Sequence, residues 1–505
     1  MPRQPRLCSL IALAVAAGLA LPAAAQTADA PPAGIAPTGV APIDTLTEAL
    51  SVAYYNNATL QEQRAALRQA DENVPAAISG WRPSVTLTGS AGRVVGTETQ
   101  LIGGSDFTEN LDQNRNEAIG QATLTQPIYS GGKTVDATRQ AKNQVYAQRA
   151  QLLAAEQQVF LNVVTDYVTV ITDTHLLALD QNNVVVLRRQ LQATDDQFNI
   201  GDITLTSVAQ AKAALAQAKA QVAIAAGNLQ IAQENFRHDV GQYPGDLTPP
   251  QPLDLPVSSE DDAGGLAQQN NPNVIAAEFA NAADKDAIDV AFSALLPQVS
   301  IQASGYLESN PNGPRSRESG GSVLGELTVP LYQGGQEYAA IRQARAKAQQ
   351  SFAAIIDAQR SAYADATQAW EGLIASRAAV VSTNIEIKAN AIALDGTERE
   401  EIVGTRDTLD VLNAQQLLLQ SQVQQVQNIG NLVTESYTVA AAIGRLTATD
   451  LGLPINQYDD LKYYDSVKYA GFGTGEAADA NAGIAPDGSL LNTAVPADQP
   501  GAQEP

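Results

Sequence analysis

The chain is 505 residues long and carries 54 acidic against 30 basic side chains, a formal net charge of −24, with one cysteine and two histidines. That balance argues against nucleic acid and anionic lipid headgroups as partners, because both are recognised through basic patches. A single cysteine leaves no disulfide and no cysteine metal site, and beyond the first residues no run reaches the length of a membrane-spanning helix.

In chain order, Arg3 and Arg6 precede the apolar run Leu7–Leu21, and Ala23, Ala24 and Ala25 end it. This is the pattern of an export signal over residues 1–25, with Cys8 inside it. No cysteine follows the cleavage point, so no lipoprotein-type anchor is expected. Residues 26–43, rich in Ala, Pro and Gly, read as a flexible arm.

A first unit spans residues 44–246. It opens with an expected helix from Thr47 to Ser79. The segment PSVTLTGSAG then sets Val85, Leu87, Gly89 and Ala91 against Ser84, Thr86, Thr88 and Ser90. Such alternation gives a strand with one apolar and one polar face. Its partner is IGQATLTQPIY, making a strand pair over 83–129 with a loop from Arg93 to Asn116. Lys133 to Ile200 then runs without one Gly or Pro, enough for a helix roughly 100 Å long. Gly201 marks a sharp turn, and a return helix over 203–240 follows.

Residues 247–262 read as a linker, and a second unit over 263–453 repeats the plan. Its parts are a helix from Gly265 to Ala294, a strand pair over 297–332 with a loop from Glu308 to Gly321, a long helix over 336–403, a turn at Gly404 and a return helix over 407–443. Leu409, Leu412, Gln416, Leu419, Val423, Val426 and Gly430 alternate by threes and fours, the spacing of a coiled-coil seam. Residues 454–470 carry Tyr458, Tyr463, Tyr464 and Tyr469, which suit an anchor onto the helices. Residues 471–505 are acidic and of low complexity, and are expected to be disordered.

The units are two copies of one sequence. TQPIYSGG at Thr125–Gly132 matches TVPLYQGG at Thr328–Gly335, and the same offset of 203 pairs Gly201 with Gly404, Gly227 with Gly430 and Gly241 with Gly444. Upstream, YNNATL at Tyr55–Leu60 pairs with QNNPNV at Gln269–Val274 at an offset of 214. A fixed frame over this length is a structural repeat. Pro127 with Gly131 and Gly132, and Pro330 with Gly334 and Gly335, stand where a strand must swing into a helix. Four strands with one apolar face cannot close a barrel, so copies must combine. Three copies give twelve strands and room for a pore.

The duplicated order of strand pair, QPIYSGG, long helix, VGTRDTLDVLNAQ and return helix resembles the TolC family of outer-membrane efflux and type I secretion channels, over residues 44–453. The resemblance implies an α+β membrane protein. It would be a homotrimer with a twelve-stranded transmembrane β-barrel, four strands per chain, surrounded by outer-membrane lipid. A long periplasmic barrel of helical coiled coils would continue it, with residues 454–470 in an equatorial belt. The implied partners are a periplasmic adaptor (membrane fusion) protein and an inner-membrane transporter, with no nucleic acid. The implied function is export of small toxic compounds or secreted proteins, gated at the periplasmic helix tips.

At those tips the resemblance assigns a gate ring to Asp410, with Asn413 where the family has a second carboxylate, and a lock to Arg406. The turns are Gly201 and Gly404. The family's locking partners are replaced here by Glu401 and Ser207, so the closed tip is expected either to use other contacts, such as Arg406 with Glu401 or Asp202, or to be looser. Three Asp410 carboxylates around one axis would attract an inhibitory cation. Independently of the resemblance, Asp410 also suits the first turn of a helix capped at Asp407.

No cofactor or resident metal is expected. His175 and His238 both lie in helical stretches, and GFGTG at 471–475 lacks the strand–helix context of a nucleotide site. An enzyme is not expected. The competing reading from another class is a trimeric surface-exposed coiled-coil adhesin or structural spacer, which would not need strand pairs at equivalent places.

Overall fold

A computed structural model describes residues 43–101, 108–201, 203–311 and 315–473. The export signal, nearly all of the arm and most of the acidic tail lie outside the described residues.

The first unit opens with α1 (Leu46–Asn56), α2 (Ala58–Asp71) and α3 (Asn73–Ile78). The single helix expected from Thr47 to Ser79 is therefore broken. Asn57 causes the main break: its backbone is extended, and its Oδ1 accepts the amide hydrogens of Thr59 and Leu60 as cap of α2. The strands β1 (Ser84–Leu101) and β2 (Thr108–Ser130) follow, then α4 (Lys133–Asn199) and α5 (Leu205–Val240).

The second unit has α6 (Glu260–Asn270), α7 (Pro272–Phe292), β3 (Gln298–Ser309), β4 (Arg317–Thr328), α8 (Gln336–Ile402) and α9 (Thr408–Ala442). Its opening helix is split as well. Asn271 caps α7 and Pro272 takes the first helical position, where its missing N–H costs nothing. The helical part begins at Glu260, inside the expected linker, because the Ser259 hydroxyl accepts the Asp262 N–H. A short helix α10 (Lys462–Val467) closes the described chain.

The two asparagines act alike. Asn57 Nδ2 donates to the Asp239 carbonyl at 3.0 Å, and Asn271 Nδ2 donates to the Ala442 carbonyl at 3.2 Å. Each ties the break between two short helices to the C-terminal end of its unit's return helix, and satisfies a carbonyl that the helix end leaves open.

The four strands form one antiparallel sheet in the order β1-β2-β3-β4. The register sets Val85, Leu124, Ala303 and Val323 in one row across it, and Thr86, Thr123, Ser304 and Ser322 in the next. The alternation read in each strand thus adds up to one apolar and one polar face. β1 and β4 are both edges.

The strands run further than their alternation. Residues 93–101, 108–116, 308–309 and 317–321 pair where loops were expected. The two-residue alternation is lost there, as in Arg93-Val94-Val95, while the backbone ladder continues. Arg93 Nε and Nη2 donate to Asn114 Oδ1 at 3.1 and 2.9 Å across that stretch.

The main core sits midway along the rods. Leu46, Leu50 and Tyr54 of α1 meet Phe160, Val164 and Tyr167 of α4, Phe236 of α5 and Tyr437 of α9. The chain after α9 wraps the same place through Leu446 and Leu453. Tyr167 Oη lies 2.9 and 2.8 Å from the carbonyl oxygens of Asp44 and Thr248. Burial pushes the Tyr167 phenol up to about 12, so it stays a donor.

Candidate functional site: helix tips, sheet faces and the turns between them

Both rods end in the same turn. Gly201 and Gly404 have φ of 85° and 77°, the left-handed region that glycine enters without a side-chain clash. The Gly404 N–H donates to the Glu401 carbonyl, and the Thr405 N–H and hydroxyl both donate to the Glu400 carbonyl.

The chain then re-enters a helix at Asp407, whose Oδ1 accepts the Asp410 N–H at 3.0 Å. The cap is therefore Asp407, and the Asp410 carboxylate is left for other work. Its Oδ2 lies 3.6 Å from Nη1 of Arg406. The same guanidinium donates through Nε to Glu400 Oε2 at 3.0 Å. This corrects the expected partner: Arg406 meets Glu400, not Glu401, because the turn carries it to that side of the last turn of α8. Asp202 lies outside the described residues. Glu401 has a buried Oε1 with no partner within the chain.

Asn413 is exposed on α9, and Ser207 is half-buried in the first turn of α5. Neither is brought against Arg406 in one chain. The stripe that α9 buries is also shifted from the one expected. It runs through Thr408, Val411, Leu412, Gln415, Ser421 and Asn428, whereas Leu409 is 41% exposed. The shift arises because α9 packs against α4 as well as α8. Leu412 joins Leu187 and Leu215, and Asn428 Nδ2 donates to Thr383 Oγ1 at 2.8 Å. At Gly430 a Cβ would meet Thr172 Oγ1 at 2.8 Å, so a larger residue there would push α9 off α4.

At the strand–helix junctions, Gly131 and Gly132 have φ of 66° and 85°, and Gly334 and Gly335 have 73° and 89°. Pro127 does not end the pairing of β2 with β3. The register slips between Pro127 and Tyr129, and pairing resumes to Ser130. A proline has no N–H for the ladder, and a bulge absorbs that loss. Pro330 follows the end of β4 at Thr328. The apolar face of the sheet is bare: Val85, Leu87, Leu307 and Val323 are each more than two-thirds exposed. On the other face, the Ser304 and Ser322 hydroxyls lie 2.9 Å apart.

A wide apolar sheet face, polar on its reverse and continuous with rods of 67 residues each, fits a lipid-embedded channel. Residues 49–242 and 264–445 match the family described as outer membrane efflux protein. The chain belongs to the outer membrane efflux protein family. It is 32% identical over 433 residues to the outer membrane efflux protein BepC of Brucella suis biovar 1 (strain 1330), covering 85% of this chain and 92% of BepC. It is 23% identical over 380 residues to the outer membrane protein TolC of Escherichia coli (strain K12), covering 70% of this chain and 76% of TolC. The crystal structure of the Campylobacter jejuni CmeC outer membrane channel superposes with a TM-score of 0.68 at 18% identity, over 80% of this chain and 86% of that one. The efflux family places this chain in the outer membrane as an export channel, with the sheet contributing to the barrel and the rods to a periplasmic tunnel.

Sequence reasoning missed a charged group far from the tips. Leu60, Arg64, Leu67, Asp71 and Val74 are all buried, on one stripe of α2 and α3. Arg64 and Asp71 thus take core positions of an otherwise apolar stripe. That spacing was readable, had charges at helical core positions been sought.

Proposed function

We propose that three copies of this efflux-family chain form the channel, that its periplasmic entrance is the ring of tips at Gly201 and Gly404, and that a periplasmic adaptor and an inner-membrane transporter deliver the cargo. It transports rather than catalyses.

One observation carries the ring. Within a chain, α9 lies on α4, with Gly430 against Thr172. The repeat-equivalent surfaces are bare. Nothing lies within 4 Å of a Cβ at Gly227 on α5. On α8, Ile374, Val381, Ile385 and Ile392 are exposed. The α5 of one copy therefore suits the α8 of the next, as α9 suits α4. The junctions agree: a Cβ at Gly131 would meet the Ser293 carbonyl oxygen at 2.6 Å, whereas its equivalent Gly334 faces open space. The bare edges β1 and β4 would pair in the same step.

In that ring Asp410 recurs around the axis beside Arg406, and Asn413 forms a neutral ring about one turn along. Asp410 sets cation preference, while Arg406 restrains it and holds the turn. Purified protein in planar bilayers tests this. Cation-preferring conductance, weakened in Asp410→Asn together with block by multivalent cations from the tip side, is expected. Conductance without change in Asp410→Asn would reduce that residue to a first-turn acid of α9.

A further inference from the structure

Where α2, α4, α7 and the segment after α9 converge, a cavity of about 360 Å³ lies under the strap that contains Tyr458 and Asp460. Arg64 is one of its walls and is only 1% exposed. Its Nη2 donates to the Tyr54 carbonyl at 3.0 Å. The rings of Tyr54 and Tyr458 lie 4.6 and 5.2 Å from its guanidinium carbon. Nε and Nη1 are buried and meet no acceptor within the chain. A buried guanidinium with donors unmade is costly, because it has given up water for nothing.

The other charges around the cavity leave those two donors unused, although Glu156 offsets the Arg64 charge through space. Arg149 Nε lies 3.3 Å from Asp460 Oδ2, so those two serve each other. Glu156 uses Oε1 to accept the Ala448 N–H at 2.8 Å. Burial raises its pKa, which eases protonation of that carboxyl. Tyr146 and Phe279 stack with centroids 5.1 Å apart, the Arg149 guanidinium lies 5.7 Å from the Tyr146 ring centre, and Leu60, Leu153 and Ile275 add apolar lining. The cavity thus combines aromatic and aliphatic lining with two unused donors on a fixed cation. That is the composition of a small-molecule pocket.

We propose that this cavity binds a small carboxylate with an apolar or aromatic body, its carboxylate on Arg64 and its body on the Tyr146–Phe279 wall. Two sources share that chemistry. A simple aromatic acid keeps the cavity neutral if Glu156 takes up a proton. An apolar amino acid keeps it neutral by setting its own ammonium near the Glu156 carboxylate. The site is separate from the tips, and lies at the level where the strap holds the rods together.

Calorimetry on the purified full-length channel tests the site with benzoate, L-phenylalanine and phenethylamine, each in two buffers of different ionisation heat. Binding of benzoate with proton uptake, or of phenylalanine without it, supports the site and tells the sources apart. Phenethylamine, lacking a carboxylate, should not bind. Arg64→Gln and the cavity-filling Leu153→Trp should each weaken binding at least about tenfold, with assembly size unchanged by light scattering. If Arg64→Gln does not assemble, Leu153→Trp decides alone, since it keeps every charge. No binding of either acid at millimolar concentration, equal binding of phenethylamine, or unchanged affinity in Leu153→Trp overturns the proposal.

Discussion

At the scale of single residues, Asp71 stands to gain from a change of charge. It is 1% exposed, and neither carboxylate oxygen has a partner within the chain. Burial is the main cause that pushes its pKa up to about 7; Asp460 and Glu72 add to the rise and Arg149 opposes it. A carboxyl raised in the folded state stabilises the fold fully below the ordinary aspartate pKa, and that contribution is lost as pH rises through about 7. Asp71→Asn should therefore flatten the fall in thermal stability between about pH 4 and pH 7 and raise the melting temperature above about pH 7, by up to about 4 kcal/mol in unfolding free energy. A melting curve that falls over that range in the variant as in the parent would remove Asp71 from the account. Arg406 makes a second prediction. Since it lies between Glu400 and Asp410, Arg406→Ser should raise resting conductance and also strengthen cation block, as Asp410 loses its neighbour. All three side chains are about half exposed, so the stability change should be small. Single-channel recording separates the two effects. The turn glycines and the acids near them could be read in the sequence because turn chemistry is local. The choice of Glu400 over Glu401 could not, since it depends on the angle at which the chain leaves α8.

At the scale of elements, the alternation in PSVTLTGSAG and PQVSIQASGYL was legible because each strand has one side in lipid and one toward polar surroundings. The extension of the strands past Arg93 and Glu308 was not, since the sequence there loses its two-residue alternation while the backbone ladder goes on. The rods were legible from the absence of Pro and the near-absence of Gly, and the breaks at Asn57 and Asn271 were legible too, since Asn56-Asn57 and Asn270-Asn271-Pro272 carry cap and proline signals inside otherwise helical runs. The α9 stripe was misplaced because a sequence shows one seam while the helix packs against two neighbours. The sheet yields a test by face. A charge at Leu87, as in Leu87→Asp, should sharply reduce insertion into the outer membrane, at a cost of a few kcal/mol (~) for a lipid-facing site. Thr86→Asp on the opposite face should insert and shift ion selectivity instead. Equal membrane yields for the two variants would show that the faces are assigned wrongly. The asparagine clasps yield another. Asn57→Ala removes the cap of α2 and the bond to Asp239, and should cost about 1–3 kcal/mol, read as earlier denaturant unfolding. Asn271→Ala should cost a similar amount, since the Ala442 bond is the same device.

At the scale of the whole molecule, the duplication turns one interface seen inside the chain into a prediction for another between chains. Gly430 of α9 approaches Thr172 of α4 closely enough that a Cβ would touch it. Moving both positions by the repeat offset leads from Gly430 to Gly227, and from Thr172 to Ala375, which is exposed on α8. If copies close into a ring with the geometry that the chain already uses internally, Gly227 of one copy lies against Ala375 of the next. Cysteines at both positions would then be near enough for a disulfide, which needs Cα atoms within about 7 Å. The background suits the experiment, since the only native cysteine, Cys8, lies in the export signal. The double variant Gly227→Cys with Ala375→Cys should oxidise to covalent species of two and three chains, with nothing larger, on a denaturing non-reducing gel. Each single variant should stay monomeric on the same gel. A ladder that stops at two chains would favour a pair of copies and an eight-stranded barrel. A ladder beyond three would mean that the α5–α8 contact does not close on itself. Covalent trimers that still conduct in bilayers would place the contact in the working channel, because α8 is a rod, α5 is the return helix from the tip, and the two must stay in register for the tips to meet.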